Sequence, residues 1–247
     1  MIKFFRKIRQ RLLSENKFSK YLIYAIGEIF LVVIGILIAL EINIKNQESI
    51  NREYELTMLN EIREGLIRDL DGLKGGLESI DKTRIAVMKL TQAKYEDSFP
   101  QDSLEFYFTE VRRSGIGLSL NYSAYESIKS TGLDKISNDA LRSSITNLYE
   151  VKLKAVDFWI NDFIRTRLDL RSELVRQTMD KIIKPDSVNG IAIEYVINHK
   201  LIKKNKEFDE ILVTAGGYIP IAKRYVDFAT REIIAQIKEI DAELNKK

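Results

Sequence analysis

Glu28 is the residue whose type and setting most suggest chemistry. It is the only charge among residues 21–40, YLIYAIGEIFLVVIGILIAL. About 20 mostly apolar residues are what a helix needs to cross a hydrocarbon core. Glu28 stands seven residues into that run, about 10 Å deep at the helical rise. An ionisable group at such a depth marks a functional site by default. At helical spacing Ala25, Glu28, Val32, Gly35 and Ala39 fall on one face. Gly35 and Ala39 form a small-x-x-x-small pair that lets two helices approach closely. Two readings follow: a carboxylate that carries protons or ions, or a protonated glutamate that hydrogen-bonds across a helix pair. Both require a second helix.

The rest of the chain offers little for catalysis. There is no cysteine and one histidine, His199, which stands in a basic run and reads as solvated. No pair of His and acid has metal-ligand spacing. The glycines between 72 and 76 precede no Gly-Lys-Ser, and no nucleophile elbow is present. The sequence therefore predicts no catalytic residue, no metal site and no cofactor, and a protein that is not an enzyme. One further group draws notice. Tyr122, Tyr125 and Glu126 lie between glycine breaks, with Arg112 and Arg113 nearby in sequence. They make either a small distal pocket or a corner where aromatics close a bundle tip. Trp159 with Phe158 and Phe163 reads as core.

Charge explains how the apolar run is oriented. Lys3, Arg6, Lys7, Arg9, Arg11, Lys17 and Lys20 precede it against one acid, Glu15. Acids prevail just after it. Basic flanks stay on the cytoplasmic side. Residues 1–20 are therefore a cytoplasmic segment whose cations meet lipid headgroups, either as an amphipathic helix or as a plain basic leader. Residues 21–44 are an uncleaved membrane anchor, since Ala39-Leu40-Glu41 is no cleavage site. Residues 45–247 lie outside, in the periplasm. With a chain total of +3, +6 before the span and −2 within 21–44 leave the large domain at −1. The large domain thus has no basic surplus to suggest nucleic acid binding, and none is expected as a partner.

Three prolines and twelve glycines in 247 residues favour long helices. Leu59, Ile62, Leu66, Leu70, Leu73, Leu77 and Ile80 are spaced as a heptad-like seam. No proline interrupts the chain from 42 to 94, so the helix continues out of the membrane until Phe99-Pro100 stops it. Asp102 or Ser103 caps a short helix to Arg113. Ser123 caps another that ends at Gly132. Ser137-Asn138-Asp139 starts a second long helix, which runs to Ile183 as the antiparallel partner of the first. Ile191 to His199 and Phe208 to Val213 read as short helices around a basic loop, and Pro220 opens a last helix.

The residues also resemble a known family. Lys3-Phe4-Phe5-Arg6 with Arg9, Glu15 to Tyr21, Gly27-Glu28-Ile29 and Leu31 to Leu40 look like the opening of a family of uncharacterised Bacteroidota membrane proteins. Tyr125 to Gly132, followed by Ile136 to Asp139 and Leu141-Arg142, resembles its second recurrent block. Glu41-Ile42-Asn43-Ile44 departs from it, because the family carries glutamine and tryptophan there. The resemblance implies an anchor and a helical extracytoplasmic region, with no activity to carry over.

The expected architecture is all-α: a transmembrane helix continuing into an elongated extracytoplasmic bundle with long antiparallel helices. The expected role is a structural or sensory adaptor of the bacterial inner membrane. Its partners would be lipid and either a second copy or another membrane protein, met through the transmembrane helix. The alternative is a subunit of an ion-conducting or ion-driven complex that uses Glu28.

Overall fold

The computed structural model describes residues 18–113 and 115–246. Lys3, Arg6, Lys7, Arg9, Arg11 and Lys17 lie outside the described residues, as does the side chain of Lys20. The chain divides into two compact units, Met1–Leu56 and Thr57–Lys247.

Helix α1 spans Phe18–Tyr95. An 18-residue window of it has a mean hydropathy of 2.5, and none of that window is buried. Ile23, Phe30, Leu31 and Ile36 are each more than 60% exposed, so little among the described residues covers them. Apolar surface of this extent is unfavourable in water. By length and composition α1 can cross a membrane.

In the second unit α1 turns its seam inward. Leu59, Ile62, Leu66, Leu73 and Ile80 are buried, and Thr83, Ala86, Leu90 and Ala93 continue the stripe. Leu70 and Leu77 are only half-buried, and Asp69 takes the inward place beside Leu70.

Helix α2 (Gln101–Arg113) begins before the expected Asp102 or Ser103 cap, because the Pro100 carbonyl accepts from the Leu104 N–H at 3.1 Å. It buries Leu104, Phe108 and Val111. An extended segment then returns along α1. Ser79 Oγ donates to the Gly115 carbonyl at 2.8 Å, and Asn121 N–H donates to Asp69 at 2.9 Å. A Cβ on Gly76 would stand 3.2 Å from Ile116, so glycine lets this segment lie close. The N-cap of helix α3 (Ser123–Thr131) is Tyr122, not Ser123, and its side chain makes no cap bond; Asn121 Oδ1, one residue earlier, accepts from the Ser123 N–H and hydroxyl. Gly132 ends α3 with φ of 113°, where a Cβ would collide with the Asp134 carboxylate.

Asn138 caps α4 (Asp139–Asn147) by accepting from Leu141 N–H at 3.2 Å. The helical path then passes through a π-helical turn (Leu148–Leu153), α5 (Lys154–Asp157), a second π-helical turn (Phe158–Ile164) and α6 (Arg165–Thr178). Wide turns shift the inward face. Leu153, Val156, Ile160 and Ile164 are buried, while Val151 and Phe158 are exposed. The expectation of Trp159, Phe158 and Phe163 as core fails for that reason. Phe158 is 52% exposed, and Trp159 is half-buried against Tyr225.

The second long helical path stops at Thr178, short of Ile183. It is followed by an antiparallel hairpin, β1 (Lys181–Asp186) and β2 (Gly190–Tyr195), where a helix at Ile191 to His199 was expected. Local chemistry accounts for this. Ile182, Ile183, Ile191 and Ile193 are β-branched. Pro185 cannot sit inside a helix. Asp186 Oδ1 accepts from the N–H groups of Val188 and Asn189, which builds the turn, and Gly190 takes φ of 80°. The basic run expected as a loop is mostly helical: Asn198 caps α7 (His199–Lys204) and Asn205 caps α8 (Lys206–Gly217). Helix α9 (Ile219–Leu244) carries Pro220 in its first turn.

Contacts set the helix directions. Arg63 pairs with Asp241 at 2.5 Å, and Tyr218 meets Thr83 at 3.4 Å, so α9 runs antiparallel to α1. Ser144 meets Glu239, Lys152 pairs with Glu232 at 2.6 Å, and Trp159 stacks on Tyr225, so α9 is also antiparallel to the 139–178 path. That path is therefore parallel to α1, and α9 is the antiparallel partner that 139–178 was expected to be. The return segment near 115–121 makes this possible by covering the distance back along α1. One core gathers Leu90 and Ala93 of α1, Phe108 of α2, Val175 of α6 and Phe208 and Ile211 of α8.

Candidate functional site

The five residues read as a distal pocket divide into two places. Tyr122 and Tyr125 go with α3 to the first π-helical turn. Arg112 and Arg113, at the end of α2, face the hairpin. Glu126 is exposed and pairs with Lys129 on its own helix at 3.7 Å. The reason is that the extended segment 115–121 carries α3 away from the end of α2.

At the first place the Tyr125 and Tyr149 rings stack at 4.5 Å with 6° between planes, and Tyr122 meets Tyr149 edge-on at 5.6 Å. Tyr125 donates to Glu150 at 3.0 Å, and Lys129 donates to the same oxygen at 2.5 Å. Lys154 holds the other Glu150 oxygen. Asp69 is buried and accepts from Asn121 N–H. Its Oδ2 and the Tyr149 hydroxyl have no hydrogen-bond partner among the described residues.

These settings move the proton affinities of the tyrosines and Glu150 away from neutrality, and that of Asp69 towards it. Burial, then the charges of Asp157, Asp69 and Glu150, pushes the Tyr122 hydroxyl up to about 12. Burial and the bond to Glu150 push Tyr125 to about 12 as well. Burial also raises Tyr149. Hydrogen bonds from Lys129, Lys154 and Tyr125 hold Glu150 down at about 2. Burial raises Asp69, partly offset by Asn121 N–H and Arg68. Tyr122, Tyr125 and Glu150 thus titrate far from the neutral range where general acids and bases work best. Chemically the cluster is a set of donors fastened to one ionised carboxylate.

That carboxylate's folded proton affinity lies below its unfolded one. Its contribution is complete above the ordinary carboxylate range and disappears as the pH falls towards about 2. Glu150→Gln should therefore lower the midpoint of thermal unfolding at pH 7, by a few degrees as expected for a partly exposed ion network. The two melting curves should converge as the pH approaches 2. A constant difference across pH would contradict this origin.

At the second place the Arg112 guanidinium lies 5.1 Å from the centre of the Tyr195 ring. Burial, then the charge of Arg113, depresses its proton affinity. The Arg112 carbonyl accepts from buried Arg171 at 3.4 Å. Arg112 and Arg113 line a cleft of about 340 Å³ together with Phe108, Ile193, Tyr195 and Ile197. Neither arginine has a carboxylate partner among the described residues.

His199 is tied rather than solvated: its Nε2 lies 3.0 Å from the carbonyl of Ala93, near the end of α1. On the apolar part of α1, Ala25 and Glu28 are half-exposed, while Val32, Gly35 and Ala39 are exposed. A Cβ on Gly35 would meet nothing within 4 Å. Among the described residues no group of three or more His, Cys, Asp or Glu could hold a metal ion.

Sequence reasoning missed Asp69, Tyr149, Glu150 and Tyr195. A polar residue inside the heptad seam was a usable signal for Asp69. The other three depend on the π-helical turn and the hairpin, which periodicity does not show.

Comparison with curated proteins and with solved structures gives no match. A family model described as a family of unknown function does match, over residues 28–199. The matched stretch begins at Glu28, takes in the tyrosine cluster, the α2 arginines and the hairpin, and ends at His199. It covers more than half of the chain, and the protein belongs to that family, DUF6090.

Proposed function

We propose that the protein is a non-enzymatic adaptor or scaffold of the bacterial inner membrane. Residues 21–44 cross the bilayer once, 1–20 stay in the cytoplasm against lipid headgroups, and 45–247 form a periplasmic helical bundle. One observation supports this above the others. The apolar window of α1 is wholly unburied, yet the same helix supplies the bundle's seam. A bilayer is the environment that accepts such a window. The face of Ala25, Glu28, Val32, Gly35 and Ala39 then meets a second transmembrane helix, from another copy or another protein. The open space over Gly35 favours such an approach.

Gentle solubilisation followed by native mass measurement tests the reading. The wild-type protein should run as a complex heavier than one chain. Gly35→Leu with Ala39→Leu should reduce it to the single-chain mass, since bulk at small-residue positions keeps helices apart. A wild-type monomer with nothing bound would contradict the adaptor.

A further inference from the structure

The hairpin has one blunted edge and one open edge. Val196 N–H donates to the Asp180 carbonyl at 2.9 Å, and Lys181 pairs opposite Tyr195. Antiparallel ladders alternate bonded and non-bonded pairs. Pairs 182/194, 184/192 and 186/190 are then the bonded ones, while 181/195, 183/193 and 185/191 turn their backbone groups outward. Pro185 fits this, since it has no N–H to offer. The outer edge of β1 carries Pro185 and Lys181, two devices that discourage strand pairing. The outer edge of β2 carries neither. It presents the N–H and C=O groups of Ile191, Ile193 and Tyr195, which bond to no other backbone among the described residues.

The cleft described above lies between this strand and α2, lined on the strand side by residues 193–197. Gln101 Nε2 donates to the Ile197 carbonyl at 2.7 Å, which fixes the start of α2 against the end of the strand. Two acids also line the cleft, and each has a partner. Glu105 accepts from Gln101 at 2.7 Å, and Glu194 pairs with Lys184 at 2.6 Å. Lys184 offsets Glu194, but Gln101 is neutral and Glu105 keeps its charge, so the two arginines leave the cleft with one net positive charge, and Arg112 is held in place by Tyr195.

We propose that this cleft binds an extended segment of a partner protein that carries an Asp or Glu side chain. The segment's main chain adds as a third strand to β2. Its carboxylate meets Arg112 and Arg113. Its apolar side chains lie on Ile182 and Ile193, the exposed apolar residues of the cleft. Strand addition supplies affinity through main-chain bonds and specificity through pockets for alternate side chains. The bidentate fork of arginine suits a carboxylate. A two-stranded hairpin alone is marginal in water, so a third strand also stabilises the host. This deepens the adaptor reading by giving the partner's chemistry.

The test uses the full-length protein in lipid nanodiscs and an array of acetylated, amidated nonapeptides with a central Glu and varied flanks. A matched array carries Gln at the centre. A subset of the Glu peptides should bind, with their Gln counterparts at least about tenfold weaker. Arg112→Gln with Arg113→Gln should remove that discrimination. Ile193→Pro should abolish binding of every peptide, because it removes an outward N–H while leaving the hairpin's own ladder intact, as Pro185 does. Far-ultraviolet circular dichroism checks that the variants fold. No bound Glu peptide, or equal binding to both arrays, overturns the proposal. If the arrays fail while a partner still co-purifies, the cleft proposal falls and the adaptor stands.

Discussion

Leu31→Arg combined with Ile34→Arg should release the protein from the membrane fraction. Both positions lie in the apolar part of α1, 65% and 38% exposed. An arginine near the centre of a spanning helix costs about 2.5 to 3.5 kcal/mol on insertion scales, whereas leucine or isoleucine contributes favourably. Two such replacements shift insertion by roughly 6 kcal/mol. That is a large fraction of what the apolar residues of one spanning helix contribute. Alkaline carbonate extraction reads the result: wild type stays in the pellet, and the double variant moves to the supernatant. Leu31→Ala with Ile34→Ala is the control and should remain in the pellet. If the arginine variant stayed as firmly as wild type, the apolar window would have a protein environment instead of a lipid one.

Tyr149→Ala should be among the most damaging single substitutions in the bundle. The side chain is 1% exposed, stacks on Tyr125 and touches Tyr122 edge-on. Removing a buried aromatic ring costs about 3 to 5 kcal/mol, part lost transfer and part cavity. For a domain of this size that lowers the unfolding midpoint by roughly 10 °C. Tyr149→Phe separates ring from hydroxyl. The hydroxyl has no hydrogen-bond partner among the described residues, so its loss removes a buried polar group at little cost. The expected ordering is Phe near wild type and Ala far below. A Phe variant as unstable as Ala would show that the hydroxyl, not the stack, holds α3 to the π-helical turn.

Much of the helical architecture was legible from spacing. Leu59, Ile62, Leu66, Leu73 and Ile80 are inward as the heptad pattern implies, and Asn138 caps α4 where the cap signal stood. Gly132 ends α3 with a positive φ, as a C-terminal glycine should. The failures have particular causes. The face of the 139–178 path was misread because its period is not constant. Two π-helical turns carry the inward side to Leu153, Val156 and Ile160, and leave Val151 and Phe158 outside. The hairpin was misread because Ile191 to Tyr195 is too short for period to distinguish strand from helix. The β-branched isoleucines and the Asp186 turn carried the better signal. The helix directions were misread because the extended segment 115–121, expected only as a break, runs back along α1 and so starts the 139–178 path parallel to it.

The candidate site was half legible. Arg112, Arg113, Tyr122 and Tyr125 were singled out from their spacing, and all four occupy structured surroundings. Nothing in the sequence says that the arginines and tyrosines part company. Their separation depends on which strand or turn each helix end meets, and those meetings are tertiary. The partners that complete each place, Tyr149 and Tyr195, lie 24 and 83 residues beyond Tyr125 and Arg112 in the chain.

The central claim is that α1 crosses a bilayer once and leaves the bundle on the far side. The chain contains no cysteine, so a single introduced thiol reports its own position. Ser14→Cys and Ser187→Cys would each be expressed alone in cells, converted to spheroplasts and exposed to a membrane-impermeant maleimide. The account predicts that the cysteine at 187 labels at once and the one at 14 only after detergent is added. Immediate labelling at 14 with protection at 187, or the same side for both, would contradict it.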